Sequence, residues 1–300
     1  MLLIMILFAL FGSTFVFGEA AVRYVQPVFF VMIRMFIAGF LMLGYQFFKD
    51  RPSLSIKKKD WLMLFQTSFF LLFFAYVIEF WVLQYVTGAK VSLLWNLSPF
   101  ITAIFAYYFF NEKMTGKKIL GLVIGFLGFI PILIAPAQRE HLIHKMFSLS
   151  WAETILIIAV IAAAYGWIVF KRVMDRGYQP TVINGYAMVI SGFLSLLLSL
   201  VSESWTPFPV SNWAMAGWYI FYLTLVGNII CFNLYGYLLN RYSTTYLSFC
   251  GFMTPMFAAI IQYFYFGNPV GIPFILSLIL VSIGLYIFYQ EELRQGYIKE

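Results

Sequence analysis

Glu79 is the residue in this sequence with the most to do. It sits in Phe73-Phe74-Ala75-Tyr76-Val77-Ile78-Glu79-Phe80-Trp81, an otherwise apolar run. A carboxylate at mid-helix in a bilayer costs about 2.5 to 3.5 kcal/mol on insertion scales, so such groups mark either a pathway or an interface. Helical spacing aligns Ser68, Leu72, Tyr76 and Glu79 in one stripe. In a cavity wall, Glu79 is the candidate to take up and release a coupling proton or to hold a substrate ammonium. Near the outer interface it would instead snorkel to water. Arg34, about two turns past Pro27, offers a guanidinium to an anionic group, to a helix C-terminus or to the outer headgroups.

Aromatic and helix-breaking residues accompany these charges. Trp95 and Asn96 precede Pro99, and Tyr165 and Trp167 flank Gly166; such faces can stack on a planar or cationic substrate. With 35 Phe, 20 Tyr and 8 Trp, most aromatics must be packing or interface-belt residues. Pro99 and Pro255 each remove a mid-helix backbone bond, which makes them candidate hinges or plain structural kinks.

Other chemistries find no support. There is no HExxH, no G-x-S-x-G and no pair of intramembrane aspartates, which argues against an intramembrane enzyme. Neither a pore loop nor a ring of like side chains suggests a channel. Cys231 and Cys250 lie in apolar runs without metal or disulfide spacing, and His141 and His144 lack further ligands, so no metal and no cofactor is expected. Glu112 with Lys113, Lys117 and Lys118 reads as a turn that caps or pairs structurally.

The elements that position these residues must be membrane helices. The 300-residue chain is 63% hydrophobic and 10% charged, against about 25% charged in a soluble domain. Its +7 formal charge is spread over short loops and forms no basic, aromatic-interleaved face for nucleic acid. Ten apolar stretches reach or approach the length needed to cross the bilayer, at 2–18, 27–48, 61–84, 89–110, 117–136, 152–171, 180–202, 213–238, 244–266 and 269–289. Met1 to Phe17 lacks a basic flank and a small-residue cleavage site, so it is expected to be kept as the first span. Alternate loops carry fourteen and four Lys or Arg, which predicts cytoplasmic termini in a bacterial-type inner membrane.

The chain also resembles itself. At an offset of 153, Gln26-Pro27 falls on Gln179-Pro180, Met35 on Met188 and Gly39-Phe40-Leu41 on Gly192-Phe193-Leu194. At 156, Pro99 falls on Pro255, Ala103-Ile104 on Ala259-Ile260, Tyr107 on Tyr263, Phe110 on Phe266 and Gly128 on Gly284. Two repeats of five spans make an inverted repeat, the architecture of carriers whose midplane site opens to each side in turn. The expected fold is an all-α membrane protein of ten helices in a 5+5 inverted repeat. Its parts are a first repeat at 1–136, an inter-repeat loop at 137–151, a second repeat at 152–290 and a cytoplasmic tail at 291–300. The repeat carries the Glu79 stripe onto Thr224, Asn228, Phe232 and Tyr235. The expected cavity is therefore lined by Tyr76, Glu79, Trp95, Tyr165, Asn228 and Tyr235.

These residues resemble the EamA family of the drug/metabolite transporter superfamily. The likeness lies in Phe11-Gly12-Ser13-Thr14-Phe15, similar to W-G-S-x-F; in Arg34 followed by Ala38-Gly39; in Leu97-Ser98-Pro99-Phe100-Ile101-Thr102-Ala103 leading to Asn111-Glu112-Lys113; and in Gly121, Gly125 and Gly128. Asn268 departs from the pattern where the repeat would place a counterpart of Glu112. The resemblance implies 5+5 helices, a central cavity and secondary transport of amino acids or other metabolites, often outward. Import of a nucleotide-like cofactor or other metabolite by exchange is the alternative. The glycines of the fifth span suit close helix packing, within one chain or in a homodimer.

Overall fold

The computed structural model describes residues 2–86, 88–128, 130, 150–206, 208–266 and 272–297. Secondary structure among them is helical, apart from a lone bridge between Val25 and Val210. Eight helices among the described residues are long and apolar enough to cross a membrane, and Ser98–Phe110 is a shorter apolar helix. The inter-repeat residues 137–149, with His141 and His144, lie outside the described residues, as do 131–136 of the predicted fifth span and Asn268.

The first two spans are α1 (Leu2–Ala21) and α2 (Pro27–Lys49). The third is compound: α3 (Trp61–Gln66), a π-helical stretch over Thr67–Phe74, and α4 (Ala75–Val82). The predicted fourth span is broken into α5 (Gly88–Trp95) and α6 (Ser98–Phe110), with a turn at Asn96 and Leu97. Pro99 explains the break, since its ring nitrogen has no hydrogen to donate and its ring crowds the carbonyl four residues earlier, at Trp95. Helix α7 (Gly116–Leu127) follows, then α8 (Trp151–Met174) and α9 (Pro180–Ser202). The next span repeats the compound form: α10 (Trp213–Leu223), a π-helical stretch over Thr224–Cys231, and α11 (Phe232–Leu238). Then α12 (Thr244–Cys250), a 3-10 turn at Gly251–Met253 and α13 (Thr254–Phe266) form another interrupted helix, with Pro255 just after its break. Helix α14 (Ile272–Arg294) closes the fold.

Polar residues set several helix starts. The Ser150 hydroxyl accepts from the Glu153 N–H while the Glu153 carboxylate accepts from the Ser150 N–H at 2.6 Å, a reciprocal cap. Asn212 and Ser243 accept from first-turn N–H groups of α10 and α12. Gln26 and Gln179 share an extended backbone before a first-turn proline, which the ring favours in the residue ahead of it.

Helices α2 and α9 pack antiparallel over their length, held by matched contacts. The Glu203 carboxylate, just past α9, accepts from the Val28 and Phe29 N–H groups at 2.7 Å each, placing an anion on the positive end of α2. At the other end Gln46 and Asp50 of the α2 terminus bond Gln179, which precedes α9. A Cβ on Gly39 would lie 2.7 Å from Val189 Cγ2 and 2.9 Å from the Val189 nitrogen, and one on Gly192 would lie 2.8 Å from the Phe36 ring. The pairs Gly39–Val189 and Phe36–Gly192 exchange under the 153-residue offset.

Helices α7 and α14 meet through Gly121 and Gly284, where a Cβ on either residue would lie 2.8 Å or less from the other's carbonyl oxygen. Gly125 faces Phe249 and Phe252, and Gly128 faces Val281. The small-residue face of α7 is thus packed within the chain. Beside it, the fully buried Lys118 ion-pairs with Glu292 and lies over the Tyr297 ring at 4.5 Å. Glu112 accepts from the Thr245 hydroxyl at 2.7 Å, and burial holds its carboxyl above the usual carboxylate range.

Candidate functional site

A cavity lies at the centre of the bundle, where both compound spans and both interrupted helices converge. Helix α2 contributes Arg34, α4 contributes Tyr76 and Glu79, and the α5–α6 break contributes Trp95, Asn96 and Pro99. From the second half come Trp167 of α8, and Phe232 and Tyr235 of α11. Broken and π-distorted helices suit this position, because their displaced backbone faces a cavity and not lipid.

Arg34 is 2% exposed and Glu79 is 8% exposed, so neither reaches the headgroups. Arg34 crosses from the first half to the second: its Nη2 and Nε donate to Asn228 Oδ1 at 2.7 and 3.1 Å. The Asn228 amide nitrogen faces the Met35 and Met188 sulfurs at 3.4 and 3.9 Å. Phe30 and Phe80 hold their ring centres 5.0 Å from the guanidinium carbon, and Tyr76 holds its own at 5.9 Å, a partial substitute for water around the cation. Arg34 Nη1 is buried without a hydrogen-bond partner. No ion pair joins Arg34 to Glu79 among the described residues. The Trp95 indole lies beside Glu79, with its N–H buried and outside hydrogen-bonding geometry.

Part of the lining is a stack of aromatic rings. Trp167 stacks on Tyr235 at 4.0 Å and 28° between planes, and on Phe232 at 5.2 Å and 24°. Phe232 also touches Tyr76 and Phe11, which ties the aromatic wall to the first half.

Four of the six residues expected at the cavity, Tyr76, Glu79, Trp95 and Tyr235, line it. Asn228 stands one layer back, fixing Arg34. Tyr165 lies away from it, among Phe70, Phe105 and Phe109, because two residues along a helix turn the side chain to the far face and bring Trp167 inward. Pro99 lines the cavity.

Ser92, Ser98, Ser248 and Thr254, hydroxyls not expected there from the sequence, also line the cavity. Ser98 and Ser248 approach at 3.4 Å, and Ser248 donates to Thr102 at 3.2 Å. A signal existed: the 156-residue offset maps Ser92 onto Ser248 and Ser98 onto Thr254.

The sequence profile of the EamA-like transporter family matches residues 1–134 and 150–290. An S-adenosylmethionine/S-adenosylhomocysteine transporter of Chlamydia muridarum is 32% identical over 294 residues, covering 96% of this chain and 91% of that one. A transporter of the same description from Chlamydia trachomatis serovar L2 is 32% identical over 293 residues, covering 96% and 88%. A solved crystal structure superposes with a TM-score of 0.76 at 17% identity, over 98% of this chain and 97% of that one, a likeness of fold alone.

Proposed function

The chain belongs to the EamA-like transporter family, and from that membership we propose that it carries S-adenosylmethionine and S-adenosylhomocysteine by opening its central cavity to each side of the membrane in turn. It is a multi-pass membrane transporter of a small metabolite and not an enzyme. The substrate comes from the relatives' descriptions and from one observation: the stacked Trp167, Phe232 and Tyr235 wall lies in the same cavity as charges of both signs. A planar adenine suits the flat rings, and the sulfonium of S-adenosylmethionine suits their negative faces. The two ligands differ by one methyl and its charge, so a single site serves both and exchange of one for the other needs no further gradient.

The proposed architecture is the ten-helix inverted repeat, with repeats at 1–136 and 152–290. It is supported by the antiparallel α2–α9 pair with its matched ends, by π-helical stretches beginning at Thr67 and Thr224, and by breaks ahead of Pro99 and Pro255. Pro99 and Pro255 are the proposed hinges, because each follows a break beside the cavity where a half-helix can swing. Cytoplasmic termini follow from the loop charges.

The test is equilibrium binding of labelled S-adenosylmethionine to the purified full chain in lipid nanodiscs. Saturable binding displaced by unlabelled S-adenosylhomocysteine is the expected result. A folded protein that binds neither would overturn the substrate reading while leaving the family membership intact.

A further inference from the structure

Arg34 and Glu79, a base and an acid, line one cavity with no ion pair between them among the described residues. Three of the five guanidinium hydrogens lie on Nε and Nη2, the two nitrogens turned toward Asn228 Oδ1, and Nη1 is left buried and unpartnered at the cavity wall. Asn228 therefore fixes the guanidinium plane and presents its remaining edge. An anion alone would satisfy that edge and leave Glu79 uncompensated. A cation or a proton on Glu79 would leave the Arg34 edge bare. Only a ligand carrying both signs a few ångströms apart satisfies both groups, and a guanidinium edge is built for a carboxylate.

We propose that Arg34 and Glu79 form a clamp for a zwitterionic α-amino-acid headgroup, Arg34 Nη1 taking the carboxylate and Glu79 the ammonium. The rest of the ligand then runs toward Trp167, Phe232 and Tyr235. The choice of an adenosyl ligand rests on the transport reading above; the clamp rests on the two charges. The clamp is single, because the repeat places Ala187 opposite Arg34 and Tyr235 opposite Glu79. A single clamp on a pseudo-symmetric cavity gives the ligand one orientation in both access states. Asn228 is the positioning residue.

The test uses ligand chemistry first, on the wild-type full chain in nanodiscs. S-adenosylhomocysteine is compared with its methyl ester, its N-acetyl derivative and 5′-methylthioadenosine, which has no headgroup. Each block is expected to weaken binding at least about tenfold, the scale of one lost charge-assisted hydrogen bond. Arg34→Gln and Glu79→Gln should weaken S-adenosylhomocysteine by a similar factor and 5′-methylthioadenosine by less than about twofold, and the ester should lose nothing further in Arg34→Gln, as a coupled pair requires.

Blocked ligands that bind as tightly as the free amino acid would overturn the clamp. So would variants that weaken 5′-methylthioadenosine equally. Should Arg34→Gln fail to fold, the wild-type ligand series decides alone. If no adenosyl ligand binds, the substrate reading fails by itself; the clamp then requires that some labelled amino acid, and not its ester, exchange through the protein, and silence there would sink it too.

Discussion

The α3–α4 span and the α10–α11 span run through the same backbone forms, an α-helix, an eight-residue π-helical stretch and a second α-helix. On the first, Ser68, Leu72, Tyr76 and Glu79 make the stripe; on the second, Thr224, Asn228, Phe232 and Tyr235 do. To the cavity lining the first span gives Tyr76 and the carboxyl of Glu79, and the second gives Phe232 and Tyr235, which stack on Trp167. The two spans thus share a backbone form while the side chains they present differ, as the proposed ligand with unlike ends requires.

That division can be broken by copying one half onto the other. Glu79→Tyr gives the first stripe the residue of the second and should cut transport in membrane vesicles at least about thirtyfold, the effect of removing one charge from a buried pair of recognition groups. Tyr235→Phe, which keeps the ring, should retain at least about half the activity. If Glu79→Tyr stays active, the charges do not serve the ligand.

The scaffold offers a second test. Gly39→Ala meets the Val189 backbone nitrogen, whereas Gly192→Ala meets only the Phe36 ring, which can turn aside. The first should destabilise by about 2 kcal/mol and the second by less than about 1, read as thermal unfolding in nanodiscs. Equal losses would mean that the two matched contacts are equally rigid. Trp167→Ala should weaken binding of S-adenosylhomocysteine about tenfold, in line with stacking of one base on one aromatic ring.

The smallest effect lies at the Glu112 turn, where the carboxylate accepts from Thr245. Burial raises the Glu112 carboxyl above its ordinary value, against the Thr245 hydrogen bond and the nearby Lys118. A carboxyl raised in the native state lends its stability at low pH and loses it as pH climbs through the native value. Glu112→Gln should therefore match wild type at about pH 4, the ordinary glutamate range, and unfold at a higher temperature than wild type as pH rises above it, read as thermal unfolding across a pH series.

The all-helical membrane fold was legible because apolar length and Gln-Pro, Ser-Pro and Thr-Pro steps are local signals. Glu79 was legible because a lone carboxylate in an apolar run has so few innocent explanations. Arg34 stayed ambiguous, since its partner Asn228 is 194 residues away and nothing near Arg34 in sequence names it. The choice of Trp167 over Tyr165 depended on helix rotation, which a run such as Ala163-Ala164-Tyr165-Gly166-Trp167 does not fix. The π-helical stretches left no trace in composition.

The central claim is tested most directly by counterflow in proteoliposomes. Labelled S-adenosylmethionine should accumulate transiently when the vesicles are preloaded with unlabelled S-adenosylhomocysteine, stay outside when they are empty or loaded with adenosine, and stay outside with Glu79→Tyr protein. Equal entry into loaded and empty vesicles would contradict exchange through one alternating site, and no entry by folded protein would contradict the substrate.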